Sequence, residues 1–254
     1  MNPTNKIALV TGGSRGLGRN MATAIARLGN DVVVTYHTNK AAADEVVSDI
    51  EALGRKATAI QLDTSDTTAF APFAETLKAA LTQHFSAARI DYLVNNAGTA
   101  LYAPVTDVAE AQMDDIYNIH FKGPFFLTQR LLPMLNDGGG IVNISSGLTR
   151  IAMPGSSVYG SMKSAIETAT RYMAKELGPR RIRVNVVAPG AIETDFGGGR
   201  VRDNKDINEQ IAGFTALGRV GLPDDIGGVV AFLCSDAARW VNAQRIEVSG
   251  GQAI

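Results

Sequence analysis

The 254-residue chain holds a single cysteine, Cys234, and a single tryptophan. One cysteine excludes an intrachain disulfide framework and any cysteine-built zinc site, and it fits a reducing compartment. The three histidines, His37, His84 and His120, are too scattered to suggest a metal cluster, so no metal is expected. An excess of either charge is also missing, with 24 Lys and Arg against 25 Asp and Glu. Without a basic field to gather a polyanion, no nucleic-acid partner is expected. Long apolar runs are absent as well. No stretch approaches the roughly 18–20 uninterrupted apolar residues of a membrane span, and the N-terminus carries no export-signal pattern. The sequence therefore reads as a cytoplasmic protein with no membrane partner.

What is present is 45% hydrophobic residues, enough for a sizeable core. Short β-rich apolar runs alternate with longer segments of helical period. Strands are expected at 7–11, 31–35, 58–62, 91–95, 140–145, 183–188 and 245–248, and helices at 16–28, 41–53, 68–83, 111–135, 157–177 and 224–234. Such alternation predicts an α/β fold, a doubly wound parallel sheet of about seven strands with helices on both faces. No linker divides the chain, so one domain over 1–254 is expected. The longest irregular stretch, 190–217, centres on Gly197, Gly198 and Gly199, and loops of that length are often lids.

Two patterns carry chemistry. Thr11-Gly12-Gly13-Ser14-Arg15-Gly16-Leu17-Gly18 follows the first strand and opens a helix. Glycines there let backbone approach a pyrophosphate, whose charge meets free N–H groups and the helix dipole. The alternative is an ordinary strand-to-helix connection. Further on, Tyr159 and Lys163 lie four apart on an expected helix and so rise from one face. A neighbouring ammonium favours a phenolate, so the pair is suited to proton exchange.

The Gly-x3-Gly-x-Gly spacing resembles the short-chain dehydrogenase/reductase family, and its other motifs follow in order. They are Asn95-Asn96-Ala97-Gly98 after the fourth strand, Ser146 after the fifth, Tyr159-x3-Lys163, and Pro189-Gly190 after the sixth. The resemblance runs to Val248-Ser249-Gly250-Gly251 and implies a Rossmann-like fold, mainly cofactor-binding over 1–145 and catalytic and substrate-binding over 146–254. It implies an enzyme that reduces a ketone, ketoester or aldehyde with NADPH. A carrier-protein-linked 3-ketoacyl reductase and a non-catalytic NADP-binding sensor are the alternatives.

In that family Tyr159 protonates the carbonyl oxygen, Lys163 lowers the tyrosine pKa and holds the nicotinamide ribose, and Ser146 steadies the oxyanion. A fourth position, commonly asparagine, is His120 here. It either supports a proton path or packs. Ser145, the neighbour of Ser146, is expected to point to the opposite face of its strand. The cofactor set expected by resemblance is Gly12, Ser14, Arg15, Gly16, Leu17, Gly18, Tyr36, His37, Thr38, Asp63, Thr64, Asn95, Ala97, Gly98, Tyr159, Lys163, Pro189, Gly190, Ile192 and Thr194. Asp63 is placed at the adenine, or serves as a helix N-cap.

NADPH is preferred over NADH because Val32-Val33-Val34-Thr35 runs into Tyr36-His37-Thr38-Asn39-Lys40. No carboxylate stands there to bind a ribose 2′-hydroxyl and repel a 2′-phosphate. Arg15 and Lys40 supply positive charge there, unless both are plain surface charges. The substrate side, with Leu101, Tyr102, Leu148, Ile151, Met153 and Phe196, reads as apolar, and Arg150 is either solvated or paired with an acid. Apolar residues along the helices at 111–135 and 157–177 suggest a homodimer or homotetramer.

Overall fold

The computed structural model describes residues 6–254. Seven parallel strands form one sheet in the order β3-β2-β1-β4-β5-β6-β7: β1 Ile7–Val10, β2 Asp31–Tyr36, β3 Ala57–Gln61, β4 Ile90–Asn95, β5 Leu135–Ile144, β6 Arg183–Pro189 and β7 Arg245–Val248. The strand order reverses between β1 and β4, the place where ligands settle in open α/β sheets. β1 shows how the sequence builds two cores. Ala8 and Val10 enter one hydrophobic cluster while Ile7 and Leu9 enter the other. Helices α1 (Gly16–Arg27), α2 (Lys40–Ala52) and α9 (Asp224–Leu233) cover the first face with Met21, Ile25, Val46, Ile226 and Val230. Helices α3 (Phe70–Ala80), α5 (Gly123–Leu131) and α6 (Ser157–Glu176) cover the second with Phe70, Leu77, Leu127 and Met173. Each such side chain contributes about 1.5–3 kcal/mol by leaving water. Cys234 lies wholly inside the first cluster, and burial pushes its thiol up to about 12.

Several boundaries differ from the sequence expectation. The helix expected over 111–135 is α4 (Glu110–Tyr117), a wide π turn over Asn118–Lys122, and then α5. It stops at Leu131, because Pro133 has no N–H to continue the ladder, and Leu135 already pairs with Ile90 in the sheet. The expected loop 190–217 is also more regular. It contains α7 (Arg200–Asp203) and α8 (Lys205–Gly213), the latter capped by Asn204, whose side chain accepts from the Ile207 N–H. The helix expected over 68–83 ends as α3 at Ala80 and gives way to a second π turn, Leu81–Phe85. No described helix is long and apolar enough to cross a membrane.

Candidate active site

The glycine turn between β1 and α1 is held from below. The Gly13 N–H donates to Thr35 O at 2.8 Å, and the Gly12 N–H to Thr35 Oγ1 at 3.2 Å. Gly12 has a φ of +62°, and a β-carbon built on it would stand 2.9 Å from Ala97 Cα, so only glycine fits. Asn96 locks the turn from the β4 side. Its Nδ2 donates to the carbonyls of Thr11 at 2.8 Å and Gly12 at 3.2 Å, while Thr11 Oγ1 accepts from the Asn96 and Ala97 N–H groups. α1 opens with no side-chain cap, and Gly16, Leu17 and Gly18 line a cleft of about 600 Å³. An uncapped helix start beside a glycine cradle fits the phosphates of a dinucleotide.

The expected cofactor residues divide. Gly12, Ser14, Arg15, Gly16, Leu17, Gly18, His37, Asp63, Thr64, Ala97, Gly98, Tyr159, Lys163, Pro189, Gly190, Ile192 and Thr194 all line this cleft. Tyr36 and Thr38 do not; of that trio only His37 reaches it. Asn95 is a correction. Its side chain is buried on the other side of the strand end, donating to Thr128 Oγ1 at 3.1 Å and Asn143 Oδ1 at 2.8 Å. Successive strand residues face opposite ways, and it is Asn96 that turns to the cleft. Asp63 Oδ1 accepts from the Ser65 N–H and hydroxyl, a local cap, while Oδ2 lies 3.5 Å from His37 Nε2.

At the other end of the cleft, α6 presents Tyr159 and Lys163 one turn apart. Ser146 follows β5 and lines the same cleft as Tyr159, with its Oγ accepting from the Leu148 N–H at 3.2 Å. The Ser145 hydroxyl points elsewhere, donating to Glu167 Oε1 at 2.6 Å. Lys163 Nζ donates to Ile144 O at 2.8 Å and lies 5.6 Å from the Tyr159 ring centroid.

Burial governs both side chains here. It raises the Tyr159 pKa, against the smaller opposing effect of Ser146, and it lowers Lys163 to about 7. The expectation that the lysine draws the phenol toward neutrality is therefore not met in this arrangement, because the ammonium addresses a carbonyl and both groups are desolvated.

His120 is brought to the same floor by the π turn. Its ring stands edge-on to Tyr159 with centroids 5.0 Å apart, and a β-carbon on Gly98 would come within 2.5 Å of its Cε1. Nε2 lies 2.7 Å from Thr99 O and 3.4 Å from Thr99 N. The shorter contact, to an acceptor, places the proton on Nε2 and leaves the buried Nδ1 an acceptor without a protein partner. Burial first, and then the Lys163 charge, hold the imidazole well below its usual pKa. The histidine is thus held as a neutral group.

Leu101, Tyr102, Leu148, Ile151, Met153 and Phe196 surround the space above Tyr159, with the Phe196 ring 6.1 Å from that of Tyr159. Arg150 is committed elsewhere, to Glu247 at 2.6 Å and to the carbonyls of Gln252 and Ala253. Gln252 was not foreseen. Its Oε1 accepts from the Ala191 N–H at 3.0 Å and so props the turn after Pro189-Gly190. Only the fold brings it there, 61 residues from its partner.

A family model described as enoyl-(acyl carrier protein) reductase matches residues 12–253. An uncharacterized oxidoreductase of Methylorubrum extorquens is 43% identical over 246 residues, 97% of each chain. Among solved structures, the promiscuous reductase LugOII, which catalyses keto-reduction at C1 during lugdunomycin biosynthesis, superposes with a TM-score of 0.93 at 41% identity over 100% of both chains. The landomycin C-6 ketoreductase LanV, with bound NADP and rabelomycin, gives 0.89 at 37% identity, covering 99% of this chain and 98% of its own. The chain belongs to the short-chain dehydrogenase/reductase family of oxidoreductases.

Proposed function

We propose that the protein is a cytoplasmic NADPH-dependent ketoreductase, assembled as a homo-oligomer, that reduces a bulky apolar ketone to an alcohol with Tyr159 as the proton donor. One observation carries the reading. Ser146, Tyr159 and Lys163 converge at one end of a single cleft whose other end is an uncapped glycine turn with no carboxylate at the close of β2. The likeness to the ketoreductase LanV, whose structure holds NADP and rabelomycin, supports the cofactor and a ketone as the kind of substrate. The apolar lining of Leu101, Leu148, Ile151, Met153 and Phe196 supports the same class.

The glycine turn and α1 would hold the pyrophosphate, Arg15 and His37 would serve the adenosine side, and Ile192, Thr194 and Lys163 the nicotinamide side. Bound there, the reduced nicotinamide supplies the hydride. Ser146 donates its hydroxyl to the substrate oxygen as charge develops, a contact whose loss can cost on the order of 3 kcal/mol of transition-state stabilisation. Tyr159 keeps its proton until the alkoxide forms, because burial raises its pKa, and then releases it to that oxygen. Lys163, with a pKa of about 7 and its Nζ 5.6 Å from the centre of the Tyr159 ring, is the group that returns a proton to the phenolate.

Replacing Tyr159 with Phe keeps the shape of the floor and removes the proton. With NADPH and a panel of monocyclic and polycyclic ketones, the expected result is turnover by the wild type and a loss of at least ~100-fold in the variant, with NADPH binding retained. Retained turnover would refute the assignment.

A further inference from the structure

Arg15, the residue assigned above to the adenosine side, is already paired. Its NH1 lies 2.7 Å from Oδ2 of Asp195, which follows Thr194 on the nicotinamide side. The carboxylate stands over the glycine turn itself, since a β-carbon built on Gly16 would lie 3.5 Å from Asp195 Oδ1. An anion thus sits against the turn and arginine that would otherwise serve the dinucleotide's own phosphates. Arg15 and Asp195 are 76% and 36% exposed, so the pair is a weak, exchangeable one.

We propose that Asp195 is a specificity-determining residue: an internal anion that occupies Arg15 until the 2′-phosphate of NADPH displaces it. The inference rests on the reading of Arg15 as the ligand of that phosphate. In the structure the Arg15 guanidinium is turned to Asp195, so a 2′-phosphate that recruits it competes with that carboxylate. NADH brings no second anion to this arginine and leaves the pair intact. Both cofactors carry the pyrophosphate, so its repulsion of Asp195 weakens both alike. What Asp195 subtracts specifically is part of the preference for NADPH.

The test is the ratio of Kd for NADH to Kd for NADPH, from nicotinamide fluorescence titrations of the wild type, Asp195→Asn, Arg15→Ala and the double variant. Taking the ratio cancels the shared pyrophosphate effect. Asp195→Asn is expected to raise the ratio about two- to fivefold, the range of a surface ion pair. In the Arg15→Ala background the same substitution is expected to leave it unchanged. An unchanged or lower ratio in Asp195→Asn overturns the proposal, as does an equal rise without Arg15, which would mark a long-range charge effect. If Arg15→Ala keeps the full NADPH preference, the assignment of Arg15 fails and the proposal falls with it. Loss of preference in Arg15→Ala with no effect of Asp195→Asn leaves that assignment standing and removes the proposal alone.

Discussion

Lys163 is the residue in which folding and chemistry pull hardest against each other. Its ammonium is buried beside Tyr159 with one carbonyl partner, and its pKa falls from 10.5 to about 7. Between those values the unfolded chain holds a proton that the folded one has released, so stability rises with pH across that window. Below about 7 the folded protein carries the whole cost of the buried charge. Lys163→Met is therefore expected to raise Tm at pH 6–7 by a few degrees, with the gain shrinking as pH approaches 10. Thermal unfolding of the cofactor-free protein across pH 6–10 checks it, and a gain that grows with pH would contradict the assignment. Lys163, Tyr159 and Ser146 were singled out by the order of the family motifs rather than by the Tyr-x3-Lys spacing alone, and the fold brings the three to one cleft. Their charge states were not legible in the sequence, because desolvation depends on what closes over them.

Between residue and molecule, the connection α4–π turn–α5 decides which side chain reaches the site. An uninterrupted helix would turn by about 100° per residue. The π turn over Asn118–Lys122 changes that phase and sets His120 against Tyr159. Gly123, just after it, packs directly on the Thr64 carbonyl, which a β-carbon would overlap. Gly123→Ala is thus expected to cost about 1–3 kcal/mol by overpacking, and a chain of this size loses roughly 2–4 °C of Tm for each. Calorimetry checks it, and an unchanged Tm would mean that the element yields. The sequence announced one long helix here, since its apolar period does not reveal a widened turn. It likewise missed α8, whose one clear signal is the Asn204 cap, and it chose Asn95 over Asn96 where strand alternation separates the two. Strands, by contrast, were legible to within a residue at nearly every end, because a parallel sheet buried on both faces writes itself as short runs of Val, Ile and Leu. The exception is β5, which starts at Leu135 rather than at 140, through the polar and glycine-rich stretch Asn136-Asp137-Gly138-Gly139.

At the scale of the whole molecule, apolar side chains remain outside both cores. Tyr172 on α6 is 67% exposed, and Tyr117 and Phe126 on α4 and α5 are exposed as well. Two substitutions, Tyr172→Glu and Phe126→Glu, are expected to shift the protein to a smaller species in sedimentation velocity if these helices meet a second copy. A wild type that sediments as a monomer would contradict the homo-oligomer. The single thiol offers a different use of the same architecture. Cys234 sits inside the cluster that α1, α9 and the sheet share, with its pKa near 12, so the native protein presents almost no thiolate. A thiol reagent can reach it only when that cluster opens. The labelling rate of the intact protein is therefore a clock for global opening rather than a measure of surface chemistry. Added NADPH is expected to slow that clock in proportion to its binding, giving affinity without any turnover. The chain carries its own stability probe at its one oxidisable sulfhydryl, and no residue needs to be introduced to read it.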